Sequence, residues 1–161
     1  MSPLPPWQTP AIQRLSRIIA ASHRHWTGRD LVPQGPDPEP ARALYELPAV
    51  VLAHAPGPDP LFIYANRTAQ RLWALAWAGF LALPSRRSAE PECGPERAAM
   101  LAQAQRDGHF AGYRGIRIAA TGQRFRIEDA LLWNLLDEAG APAGQAATFA
   151  TWTVLGDPAE G

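Results

Sequence analysis

A chain of 161 residues, 47% apolar and 19% charged, carries enough apolar surface for one packed domain and too little charge for a disordered one. Its 15 basic residues, all Arg, are balanced by 15 acidic ones, so no excess of positive charge recruits a nucleic acid. Cys93, the single cysteine, excludes an intrachain disulfide and a cysteine-built zinc site. The longest apolar run, Leu72 to Leu83, falls short of the ~20 residues of a membrane span. With no basic-then-apolar leader at its start, the chain reads as soluble and cytoplasmic.

Four prolines in the first ten residues predict an extended arm. Ile12, Leu15, Ile18 and Ile19 then recur at helical spacing, predicting an amphipathic helix from Ala11 to about His25. VPQGPDPEP, from Val32 to Pro40, is a linker. A short helix with Ala41, Leu44, Tyr45 and Leu47 inward ends at Pro48. Ala49 to Ala53 and Leu61 to Ala65 are apolar runs flanking a Pro/Gly turn, and they predict an antiparallel hairpin. Asn66 is placed to cap a helix with Ala69, Leu72, Trp73 and Ala76 on one face. After a loop-rich stretch, Pro95 and Glu96 open a further helix, with Met100 and Leu101 inward, that stops at Asp107-Gly108. Three strands complete the chain: Tyr113 to Ala119, Phe125 to Leu136, and Gln145 to Leu155, joined by turns at Thr121-Gly122 and Asp137 to Gly144. The expected class is α+β: a five-stranded antiparallel sheet with helices on one face and an N-terminal helical extension.

That order resembles a PAS domain. Tyr64-Ala65-Asn66-Arg67-Thr68-Ala69 resembles the PAS step from strand to helix, and Gly122-Gln123-Arg124-Phe125-Arg126 the turn into the long PAS strand. Asp137 to Gly140 and Gly144 to Phe149 resemble the final hairpin. More narrowly, the chain resembles bacterial stand-alone MEKHLA domain proteins through His25-Trp26-Thr27-Gly28-Arg29, Leu83-Pro84-Ser85-Arg86-Arg87-Ser88-Ala89-Glu90-Pro91 and Trp133-Asn134-Leu135-Leu136-Asp137-Glu138. The resemblance spans about Ile12 to Leu155. It implies a PAS-like fold over 41–156, preceded by an arm, helix and linker over 1–40, and a sensory or ligand-binding role. It transfers no catalytic residue.

Candidate chemistry is weighed on that frame. Flavin-binding relatives of the fold use a reactive Cys in a motif resembling Asn-Cys-Arg-Phe-Leu-Gln; Cys93 sits instead in Pro-Glu-Cys-Gly-Pro, and Phe149 stands about where a Gln would meet the flavin. Haem needs an axial His from a helix beside the sheet; His54 and His109 fall in turns, and His23 and His25, two apart, do not share a helix face. No Gly-x-Ser-x-Gly elbow accompanies Ser85 or Ser88, and nothing marks Glu90 and Glu92 as a paired acid and base. The cofactor is left unassigned, and the chain is read as a binder rather than an enzyme.

PAS-like domains place a cavity between sheet and helices. Tyr64, Trp73, Phe80, Phe125, Trp133 and Phe149 are candidate walls, with Asn66, Arg86 and Ser88 as polar contacts. Arg86 suits a carboxylate, which a guanidinium grips with parallel hydrogen bonds. The competing reading makes the aromatics plain core and Asn66 only a cap. The expected partners are a small, anionic metabolite and a second copy of the chain meeting through the N-terminal helix; nucleic acid and membrane are not expected. The alternatives are a small enzyme using the same cavity and a pure protein-interaction module.

Overall fold

The computed structural model describes residues 4–57, 59–88, 99, 102–104 and 106–156, without the side chains of Arg86 and Ser88. Cys93, Glu90, Glu92, Met100, Leu101 and the helix start at Pro95 lie outside the described residues. Helix α1 runs Pro10–Thr27: the Thr9 side chain accepts the Ile12 amide at its start, and Gly28, at φ 72°, ends it. Helix α2 follows (Glu39–Tyr45), then strands β1 (Val50–His54) and β2 (Phe62–Ala65). The single helix expected after Asn66 is divided. Ala74, in the left-handed region at φ 56°, closes α3 (Arg67–Trp73), and α4 (Trp77–Leu81) starts afresh. A 3-10 turn, Ser85–Ser88, and helical residues 102–104 and 106–107 lead to Gly108. Strands β3 (His109–Ile118), β4 (Arg124–Leu136), β5 (Pro142–Phe149) and β6 (Thr151–Val154) complete the chain.

The strands form one antiparallel sheet in the order β2-β1-β5-β4-β3, with β6 beside β5 on the same edge of β4. Six strands stand where five were expected because the final one breaks at Ala150. Opposite that break, Asp129 takes φ 50°. The registers Glu128 to Thr151 and Leu131 to Thr148 run through both irregularities without slipping. Alternation does slip: Phe125 and Ile127 share a core with Ala130 and Leu132, and Phe149 shares it with Trp152. β2 behaves alike. Its pairing with β1 shifts at Ile63, so Phe62 and Ala65 point one way and Tyr64 the other.

Two cores result, one on each face. The inner core joins α3 and α4 to the sheet through Trp73, Phe80, Phe125, Ile127, Phe149 and Leu132. The outer core holds Ile18 and Ile19 of α1 and Leu44 of α2 against Val51, Tyr64, Trp133 and Leu135. The N-terminal extension therefore lies on its own sheet. The Trp133 indole donates to the Ile19 carbonyl (3.2 Å), and the Trp26 indole donates to the Asn134 carbonyl (2.9 Å). Ser22 Oγ accepts the Leu136 amide (2.8 Å). Gly108 is fixed by this docking: a side chain there would meet the Trp26 ring at 2.3 Å. Among the described residues no helix is long and apolar enough to cross a membrane.

Candidate functional site

Antiparallel pairing fixes which side chains share a row on the inner face. β1, β5 and β4 contribute Leu52, Ala147 and Leu132 to one row, and His54, Gln145 and Asn134 to the next. Val50 and Phe149 stand opposite each other at the far end. Polarity thus rises along the face from aromatic, through small aliphatic, to polar.

The aromatic end is packed. Trp73 is fully buried, and its ring meets those of Phe125, Phe80 and Phe149 edge-on, with centroids 5.0, 5.8 and 6.2 Å away. The polar end is half-buried. His54 Nδ1 lies 2.9 Å from the Ala55 carbonyl, and Asn134 Nδ2 donates to the Ala104 carbonyl (3.3 Å). Gln145 Nε2 makes a long contact of 3.5 Å with Asn134 Oδ1. Gly144 packs so closely on the His54 carbonyl that a side chain there would reach it at 2.1 Å. The 3-10 turn borders this end: the Phe62 amide, across from His54, donates to the Leu83 carbonyl, the Ser85 amide donates to the Pro60 carbonyl, and the turn touches β3. On β3 the half-buried Arg117, across from Phe125, donates to the Tyr113 hydroxyl (3.1 Å). On the outer face Arg126 and Arg114 each donate to Glu128 at 2.8 Å and hold its carboxyl below the usual range.

The residues singled out from sequence divide into groups. Trp73, Phe125 and Phe149 meet on the inner face, together with Phe80. Tyr64 and Trp133 lie on the opposite face, in the core beneath α1. Asn66 is fully buried and wired to backbone. Its Oδ1 accepts the Val51 and Ala69 amides (3.0 and 3.1 Å), and its Nδ2 donates to the Ala49 and Leu44 carbonyls (2.8 and 3.2 Å). The backbone of Arg86 and Ser88 lies in the 3-10 turn, and their side chains are outside the description. Asn134 and Gln145 were not among the candidates, and His54 was weighed as a haem or metal ligand or a partner of Ser85 and Ser88, not as part of the binding surface. Their signal was present: in each strand the inward series Leu52-x-His54, Leu132-x-Asn134 and Gln145-x-Ala147 places a polar residue at a core position.

The strand order and the two-sided helical cover define a PAS-like domain. The chain belongs to the MEKHLA domain family, whose model matches residues 13–154. Similar solved structures share the fold. A PAS domain from Colwellia psychrerythraea is 12% identical, with a TM-score of 0.57 over 68% of this chain and 91% of that one. A light-oxygen-voltage domain probed with a flavin analogue is 17% identical, with a TM-score of 0.55 over 75% and 87%. The light-oxygen-voltage domain of a blue-light activated histidine kinase from Erythrobacter litoralis is 18% identical, with a TM-score of 0.52 over 70% and 100%. No curated protein sequence matches the chain.

Proposed function

We propose that this domain is a cytoplasmic sensor that binds a small organic molecule at the polar end of the inner face and relays its presence through α1. The supporting observation is the half-buried row His54–Gln145–Asn134, which follows the apolar rows of β1, β5 and β4 and borders the Ser85–Ser88 turn. A small-molecule site combines apolar walls with a few converging polar groups. Leu52, Ala147 and Leu132 are the apolar floor beside the row. Arg86 belongs to the bordering turn, and an anionic ligand is the chemistry it suits.

Relay through α1 follows from its attachments. Ile18 and Ile19 are buried on the chain's own sheet, so a partner or second copy meets that apolar face only after α1 leaves it. The filled aromatic end of the inner face favours a second reading, an interaction module that needs no ligand.

Native mass spectrometry of the purified chain, with an absorption spectrum, tests the binder. The expected result is an added mass that persists under native conditions and disappears on denaturation, with weaker retention in Arg86→Ala. A bare chain mass, with no thermal shift from a metabolite library, overturns it. Retention unchanged in Arg86→Ala removes Arg86 from the site.

A further inference from the structure

The side chains of the polar row donate outward, to backbone carbonyls at its two ends. A backbone carbonyl only accepts, so the Ala55 carbonyl fixes the proton of a neutral His54 on Nδ1 and leaves Nε2 with its lone pair. The Ala104 carbonyl likewise fixes the Asn134 amide with its NH2 toward Ala104 and Oδ1 toward Gln145. That oxygen in turn draws the Gln145 NH2, which turns Gln145 Oε1 outward. Two carbonyls at opposite ends of the row thereby set the sense of three side chains. Among the described residues neither His54 Nε2 nor Gln145 Oε1 has a partner.

From this we infer that the row presents an acceptor edge and selects a ligand that donates N–H or O–H hydrogen bonds to His54 Nε2 and Gln145 Oε1. The inference rests on the binding site proposed above and adds its polarity. A ligand with acceptors in those places leaves the lone pairs opposed and unpaired, which costs more than a missing contact. The favoured class is a flat molecule with an N–H edge, such as a heteroaromatic ring or an amide, seated on Leu52, Ala147 and Leu132.

Indole and benzofuran share shape and apolar area, and only indole carries an N–H. Titrating each into the full chain, with NMR shifts followed at His54, Gln145 and Ala147, gives the test. Indole is expected to bind about tenfold tighter than benzofuran. Gln145→Leu is expected to keep both fragments and to lower the ratio, His54 Nε2 being the acceptor that remains. Gln145→Glu, which keeps an outward acceptor, is expected to keep the preference and serves if the leucine variant fails to fold. Equal affinities, with both fragments shifting the row, overturn the acceptor edge and leave the binding site standing. Shifts absent from the row for both fragments overturn the site and the inference together.

Discussion

Tyr64 is fully buried, and its hydroxyl is the one enclosed side-chain polar atom among the described residues without a hydrogen-bond partner. Burial, with Tyr45 nearby, pushes its pKa far above the ordinary tyrosine range. The ring packs edge-on against Trp77 at 5.5 Å, a contact that phenylalanine would keep. Tyr64→Phe removes a desolvated hydroxyl and nothing else, so it is expected to stabilise the fold by roughly 1 kcal/mol in chemical denaturation. A loss of stability would mean that water satisfies the hydroxyl in solution. Asn66 is the contrasting residue. Its cap to the Ala69 amide was legible from its place before a helical run, but its ties to the Val51 amide and the Ala49 carbonyl join segments that no local pattern links.

Helices and strands were legible wherever one period held from end to end. α1 has capped ends and an apolar spacing from Ile12 to Ile19, and was readable nearly to the residue. The bounds of β2 and β4 were readable within a residue, but which way their side chains face was not, because each carries one irregularity. Strict alternation from Phe125 puts Trp133 on the same face, and Asp129, at φ 50°, reverses it. The shift at Ile63 reverses Tyr64 in the same way. Aspartate tolerates the left-handed region, but nothing around Asp129 in the sequence marks it as the residue that adopts it.

The docking of α1 carries a pH dependence. His23 lies buried edge-on to Trp133, with ring centroids 5.1 Å apart and Nδ1 3.0 Å from the Arg29 carbonyl. Burial lowers its pKa, against the opposing pull of the Arg29 carbonyl and Asp30. The unfolded chain therefore takes up this proton at a higher pH, near about 6.5, than the folded one. The stability it contributes is complete above that pH and declines as pH falls toward the depressed folded value. Denaturation followed by tryptophan fluorescence is expected to lose midpoint between about pH 7 and 5, and His23→Gln is expected to flatten that slope. An unchanged slope would place the titration on another group.

At the scale of the molecule, a single layer of backbone separates the polar row from α1. Asn134 belongs to both sides: its side chain joins the row, and its carbonyl receives the Trp26 indole. Any molecule that displaces Asn134 on one face perturbs a helix on the other, and the coupling free energy is the same in both directions. Trp26→Phe keeps an aromatic ring and deletes the donor, so it is expected to alter indole affinity. Indole should alter hydrogen-exchange protection of α1 by a matching factor; an affinity that ignores Trp26→Phe would uncouple the two faces. A shortened chain beginning after Gly28 is then a different receptor, and ligands ranked on it need not rank the same way on the whole protein.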